Sequence, residues 1–138
     1  MTTTGIRLSA LLLTAALFAV TGSAAVAERL TFKANLKGVE GTESKAAGKF
    51  TAEYDTETRK LTWRGSYGGL GTYATAAGIH GPSSRVVLRL RNINSPFDGT
   101  AILSDKQAAD LIAGRWFVLV RTASHPDGEL NGQIEIEN

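Results

Sequence analysis

The 138 residues carry 15 Lys and Arg against 13 Asp and Glu, a formal net charge of +2. So small a surplus, with both signs mixed along the chain, leaves no electrostatic footprint for nucleic acid or an anionic membrane surface. There is no cysteine, which excludes disulfides, thiol catalysis and a lipid-modified N-terminal cysteine, and leaves stability to packing alone.

In chain order, Arg7, the apolar run Leu8 to Val20 and the small residues Ala25-Val26-Ala27 read as a signal peptide over residues 1–27, cleaved after Ala27. The apolar run is too short to span a bilayer. The expected product is a secreted or periplasmic domain over residues 28–138, with no membrane span after cleavage. Its length is that of one domain, enough to build a real core.

Leu30, Phe32, Ala34 and Leu36 alternate with Thr31, Lys33, Asn35 and Lys37, the period of a half-buried strand. After a polar loop over Gly38 to Ser44, Phe50, Ala52 and Tyr54 alternate again. Asp55 to Arg59 reads as the turn into Leu61, Trp63, Gly65 and Tyr67, giving a three-stranded meander. Gly65 to Gly71 is glycine-rich. Its spacing fits neither the phosphate-binding loop, the dinucleotide fingerprint nor a nucleophile elbow, so it reads as a turn with close backbone approach.

Thr72 to Ile79 suggests a short strand ended by His80-Gly81-Pro82, and Val86 to Leu90 another. Arg85, Arg89 and Arg91 share one face of the latter. They read as a solvated edge that discourages strand-to-strand aggregation, against the sharper reading of an anion site. Ser104 and Gln107 form a capping box, opening a short helix at about 104–113 with Ala108, Leu111 and Ile112 on its apolar side and Gly114 ending it.

Trp116 to Glu137 reads as two strands folded about His125-Pro126-Asp127-Gly128, a type I turn with glycine at positive φ. A three-residue loop would set His125 opposite Glu129, Val120 opposite Ile134 and Val118 opposite Ile136. The whole is an all-β chain of short antiparallel strands, a β-sandwich with one helix.

The polar face of that last hairpin, Arg121, His125, Glu129 and Gln133, with His80 folded onto it, is the candidate binding patch. In it Glu129 orients His125 and Arg121 is a fixed cation, arranged to receive an anionic or carbonyl group. No residue stands out as catalytic: there is no Ser-His-Asp order, and the pairs Asp127/Glu129 and Glu135/Glu137 read as surface polarity without the burial that tunes an acid or base. No cofactor is expected. His80, His125 and Glu129 form the alternative, a three-ligand metal site. A further alternative is glycan binding through exposed Tyr67, Tyr73 and Phe97.

Several motifs in order, Leu61-Thr62-Trp63, Tyr67 with Leu70, Ile79-His80-Gly81-Pro82, the Leu103-Ser104 cap, and His125-Pro126-Asp127-Gly128-Glu129-Leu130-Asn131-Gly132-Gln133-Ile134, resemble the CHRD domain. That domain is named after chordin and is common in exported bacterial proteins. The resemblance covers nearly all of the chain after residue 27. It implies an immunoglobulin-like β-sandwich with similarity to copper–zinc superoxide dismutase, and no established activity. Where the family commonly has His-x-His-Gly-Pro, this chain has Gly78 at the first histidine. Where it commonly has Asn-x-His-Thr, this chain has Leu119-Val120-Arg121-Thr122, and Arg121 is a permanent cation that cannot ligate a metal. Asn131 stands where the family's arginine is usual.

The expectation is therefore an exported CHRD-like domain with a binding or structural role at the cell envelope. Its partner would be an envelope or extracellular protein or a glycan. The alternative is a metal-binding or superoxide dismutase-like enzyme with a degenerate histidine site.

Overall fold

A computed structural model describes residues 28–138, so the expected signal peptide lies outside the described residues. The period-two stretches become strands with the expected inward faces. β1 (Arg29–Gly38) buries Phe32, Ala34 and Leu36; β2 (Ala47–Asp55) buries Phe50, Ala52 and Tyr54; β3 (Lys60–Gly68) buries Leu61 and Trp63. They pair as the expected antiparallel meander, with Phe32 beside Ala52 and Ala52 beside Trp63. The β2–β3 turn is closed by Asp55, whose Oδ1 accepts from the N–H groups of Glu57 (2.9 Å) and Thr58 (3.0 Å). A short acidic side chain does this well because it substitutes for a backbone acceptor two residues on.

The remaining elements are β4 (Ala74–His80), β5 (Val86–Arg89), β6 (Phe97–Ile102), α1 (Asp105–Ile112), β7 (Phe117–Thr122), β8 (Leu130–Gln133) and β9 (Glu135–Ile136). The nine strands of the described residues are hydrogen-bonded into one sheet in the order β5-β4-β7-β8-β1-β2-β3-β6, with β9 added to β1. Among the described residues the architecture is mostly antiparallel β with one short α-helix. The sheet curls as a half-barrel around a single apolar cluster, and its hydrogen bonding does not divide into two separate sheets. Among the described residues no helix is long and apolar enough to cross a membrane.

Sequence reasoning missed β6. Asp98-Gly99 looks like a turn, yet it runs mid-strand against β3, where Gly99 pairs with Trp63 and Phe97 with Gly65. Each aromatic ring lies over the glycine opposite. A Cβ on Gly99 would sit 2.5 Å from Trp63, and one on Gly65 would sit 2.3 Å from Phe97. The two glycines are thus strand residues whose missing side chains make room for rings, a known way to pin register.

The final hairpin keeps its expected faces but not its expected register. Val120 pairs with Leu130 and Val118 with Gly132, while the Trp116 carbonyl accepts from Ile134. Ile136 has left the hairpin and pairs with Phe32 of β1. The shift is four residues, an even number, so Trp116, Val118, Val120, Leu130 and Ile134 remain buried. The cause lies in the connection. Thr122 pairs with Ala74 of β4 rather than with β8, so residues 123–129 form a wide loop instead of a tight turn. Gly128 does take positive φ, 132°.

The helix forms as its cap dictates. Ser104 Oγ accepts from the Gln107 N–H at 3.2 Å, and Gln107 Oε1 accepts from the Ser104 N–H at 2.9 Å. Ala108 and Leu111 enter the core, whereas Ile112 is exposed, contrary to expectation. Asp110 is buried instead, bonded by Lys106 Nζ (3.0 Å) and the Arg115 guanidinium (2.9 Å), which together hold its carboxyl below the usual range. Ser104→Ala is expected to lower the unfolding free energy by about 1 kcal/mol in a urea titration. An unchanged midpoint would mean that the cap contributes nothing.

Candidate functional site

Glu129 ends the β7–β8 loop, one residue before β8 begins. Its side chain is only 1% exposed, which corrects the expectation of a solvated strand carboxylate. Five groups from three loops converge on it. From the β1–β2 loop, Ser44 Oγ donates to Oε2 at 2.8 Å. From the β3–β4 loop, the Gly71 N–H donates to Oε2 at 3.1 Å. Within its own loop, Thr122 Oγ1 donates to Oε1 at 2.9 Å, Ser124 Oγ lies at 3.4 Å and His125 Nδ1 at 3.3 Å. Its backbone N–H and carbonyl are also used, by Val120 and Val39.

Burial alone would push the Glu129 carboxyl up. The hydrogen bonds from Ser44, Gly71, Thr122 and His125 outweigh burial and hold it down at about 2. A carboxylate so held is ionised at every physiological pH and has no proton to exchange. It works as a clasp joining three loops at one end of the sheet. His125 touches Glu129 as expected, but through the folded loop rather than by facing it across two strands.

The other candidates lie elsewhere. Gln133 pairs with Phe117, not with Arg121, and its Nε2 donates to the carbonyls of Trp116 and Gly114, a structural tie at the base of β7. Arg121 lies beside Ala76 of β4, with no contact to Gln133 or Glu129 among its hydrogen bonds or ion pairs in the described residues. His80 ends β4 opposite Phe117, stacked on that ring at 5.2 Å, and its Nδ1 is 2.9 Å from the Ser84 carbonyl. The expected single patch is therefore two places. His125 and Glu129 occupy the loop end, and His80 and Arg121 line one pocket on the outer face of β4 and β7.

The geometry also separates the three residues of the metal alternative. Phe117 beside His80 and Thr122 before His125 are the two ends of β7. Five residues of strand put roughly 17 Å between those ends, so His80 cannot share an ion with His125 and Glu129. Among the described residues no group of three His, Cys, Asp or Glu is placed to hold a metal. The aromatic row fails as well: Phe97 is core, the Tyr67 hydroxyl is bonded to the Ile93 carbonyl, and only Tyr73 stands free at 75% exposure.

Ser44, Gly71 and Thr122 were not candidates in the sequence. The first two reach Glu129 across 85 and 58 residues of chain, and no local pattern marks such a pairing. Arg89 was named with Arg85 and Arg91 and read as a solvated edge, with an anion site as the sharper alternative.

An edge-to-edge antiparallel sheet with one capping helix and a buried carboxylate clasp defines an all-β domain whose loops are fixed from one end. The chain matches the CHRD domain over residues 32–134 and belongs to that family. No curated protein matches it.

Glu129→Ala is expected to cost roughly 3 kcal/mol in urea unfolding, because several buried donors lose their acceptor at about 1–3 kcal/mol each. The wild-type contribution is complete above the ordinary carboxylate value of 4.5 and is lost as pH falls toward the folded value of about 2. Within that window the unfolded chain takes up a proton that the native one refuses. Stability measured from pH 6 down to pH 2 should therefore fall more steeply in the wild type than in the variant.

Proposed function

We propose that this CHRD domain is exported and acts by binding or by structure at the cell envelope, on an extracellular or envelope protein or a glycan. The observation that carries this reading is the saturated state of Glu129: the most buried carboxylate spends all its hydrogen-bonding capacity on its own loops. That investment suits a rigid platform whose loops keep one shape. Arg121 and His80 supply a polar surface on such a platform, and the residue pattern at 1–27 supplies the address. A curled sheet also brings its two halves toward each other across one core, and in that sense we read the fold as related to an immunoglobulin-like sandwich.

Intact-mass measurement on the envelope fraction of cells that make the protein should return a chain beginning at Glu28; the full-length chain in the cytosol would overturn export. Elemental analysis of tag-free protein should find no stoichiometric copper or zinc. About one ion per chain, lost in His80→Ala or His125→Ala, would replace the binding-module reading with a metalloprotein.

A further inference from the structure

The outer face of β5, β4 and β7 carries a pocket of about 110 Å³ lined by His80, Arg89, Leu119 and Arg121, with Ala76 and Gly78 as its floor. The register explains the convergence. His80 lies beside Val86 and Phe117 at one end, Arg121 beside Ala76 at the other, and Arg89 opposite Gly78 between them. Neither arginine makes an ion pair or a hydrogen bond among the described residues, where the cationic partners are Arg29, Lys33, Arg59, Lys106, Arg115 and His125. No carboxylate lines the pocket. Two guanidinium groups line the pocket with no counter-charge among its lining residues, so it offers positive charge to an anion.

His80 adds a second, independent sign. It is 3% exposed. Its Nδ1 faces the Ser84 carbonyl, an acceptor only, so Nδ1 carries a hydrogen, and in the tautomer this selects the lone pair is on Nε2. That Nε2 has no partner among the described residues and faces the pocket, where a Cβ built on Gly78 would lie 3.5 Å from it. The ring is stacked on Phe117, its centroid 5.2 Å away, and bonded through Nδ1, which together favour this orientation. Any side chain at position 78 would stand over Nε2, and the glycine leaves it open.

We propose that this pocket binds an oxyanion head group, phosphate or carboxylate, that also carries a hydroxyl: Arg89 and Arg121 hold the charged oxygens and His80 Nε2 accepts the hydroxyl hydrogen. This rests on the binding-module reading and names the chemistry of its ligand. The size agrees. At ~30 Å³ per water the pocket holds about four waters, the scale of a head group and well below the roughly 300–1,000 Å³ of a site that encloses a whole drug-sized ligand. Leu119 at its rim offers an apolar surface to whatever carries the head group. Guanidinium forks suit either anion, since both present paired oxygens. A hydrogen phosphate or a hydroxy acid such as a uronate supplies the hydroxyl.

Inorganic phosphate, glucuronate and, as the neutral control, glucose are titrated into purified residues 28–138 at constant ionic strength, with binding followed by calorimetry and by the His80 ring resonances. Saturable binding of phosphate or glucuronate but not glucose is expected. It should weaken roughly tenfold or more in Arg89→Gln and in Arg121→Gln, the weight of a charge-assisted hydrogen bond. Both residues are exposed, so both variants should keep the wild-type melting temperature. Gly78→Ser, which leaves every charge in place, should weaken binding and abolish the His80 shift. Phosphate alone, or glucuronate alone, would identify the source of the head group. No saturable binding of either anion, or binding as tight in both arginine variants as in the wild type, overturns the pocket. The titration uses purified protein, so that result would leave the envelope reading standing, and a cytosolic location would leave the pocket standing.

Discussion

A buried, ionised carboxylate is the constraint on which this domain's loop end depends. Glu129 cannot be buried charged unless donors surround it, because desolvating a carboxylate costs several kcal/mol. The fold meets that cost with donors from three loops, one of them a backbone N–H. Each loop is thereby held to the others, and none can move without uncovering the charge. The same demand sets the shape of the β7–β8 connection. Thr122 faces Glu129 and does not continue the hairpin ladder, and the loop widens from a tight turn into residues 123–129.

Elsewhere the sheet is held by packing. Rings over glycines lock β6 to β3: Trp63 lies over Gly99 and Phe97 over Gly65. Without that fit β6 would have no reason to pair at one register rather than the next, since Asp98-Gly99-Thr100 carries little apolar pattern of its own. The helix closes the core with only Ala108 and Leu111, and its ionic group, Asp110, is matched from either side by Lys106 and Arg115.

The two faces of β7 illustrate opposite uses of polarity. On the Thr122 side the Glu129 carboxylate is answered from within the chain, and the result is rigidity. On the outer face, at Arg121 and across to Arg89, positive charge is gathered and left unanswered. Two of the positions at which the chain departs from the pattern of the resemblance, Gly78 and Arg121, fall on that outer face, although 43 residues separate them in the sequence. One removes a side chain and the other makes a charge permanent, and both changes open the same pocket to an anion.

Much of this was legible in single residues and their spacing. Alternation over residues 30–36, 50–54 and 61–67 named three strands and their buried faces, because the period of a strand is a property of the local backbone. The capping box at Ser104 and Gln107, the Asp55 turn and the positive φ of Gly128 are equally local, each a bond or an angle within four residues. The motif order from Leu61 to Ile134 was enough to place the chain in its family. Register, edge order and the environment of each charge were decided only by the tertiary structure. Nothing near Glu129 in the chain announces Ser44 or Gly71. Nothing near Gly99 announces Trp63, and nothing near Arg121 announces Arg89. Those pairings depend on which strands become neighbours when the sheet curls around one core, and burial, which decides whether a carboxylate is a solvated surface group or a clasp, is a property of that packing alone.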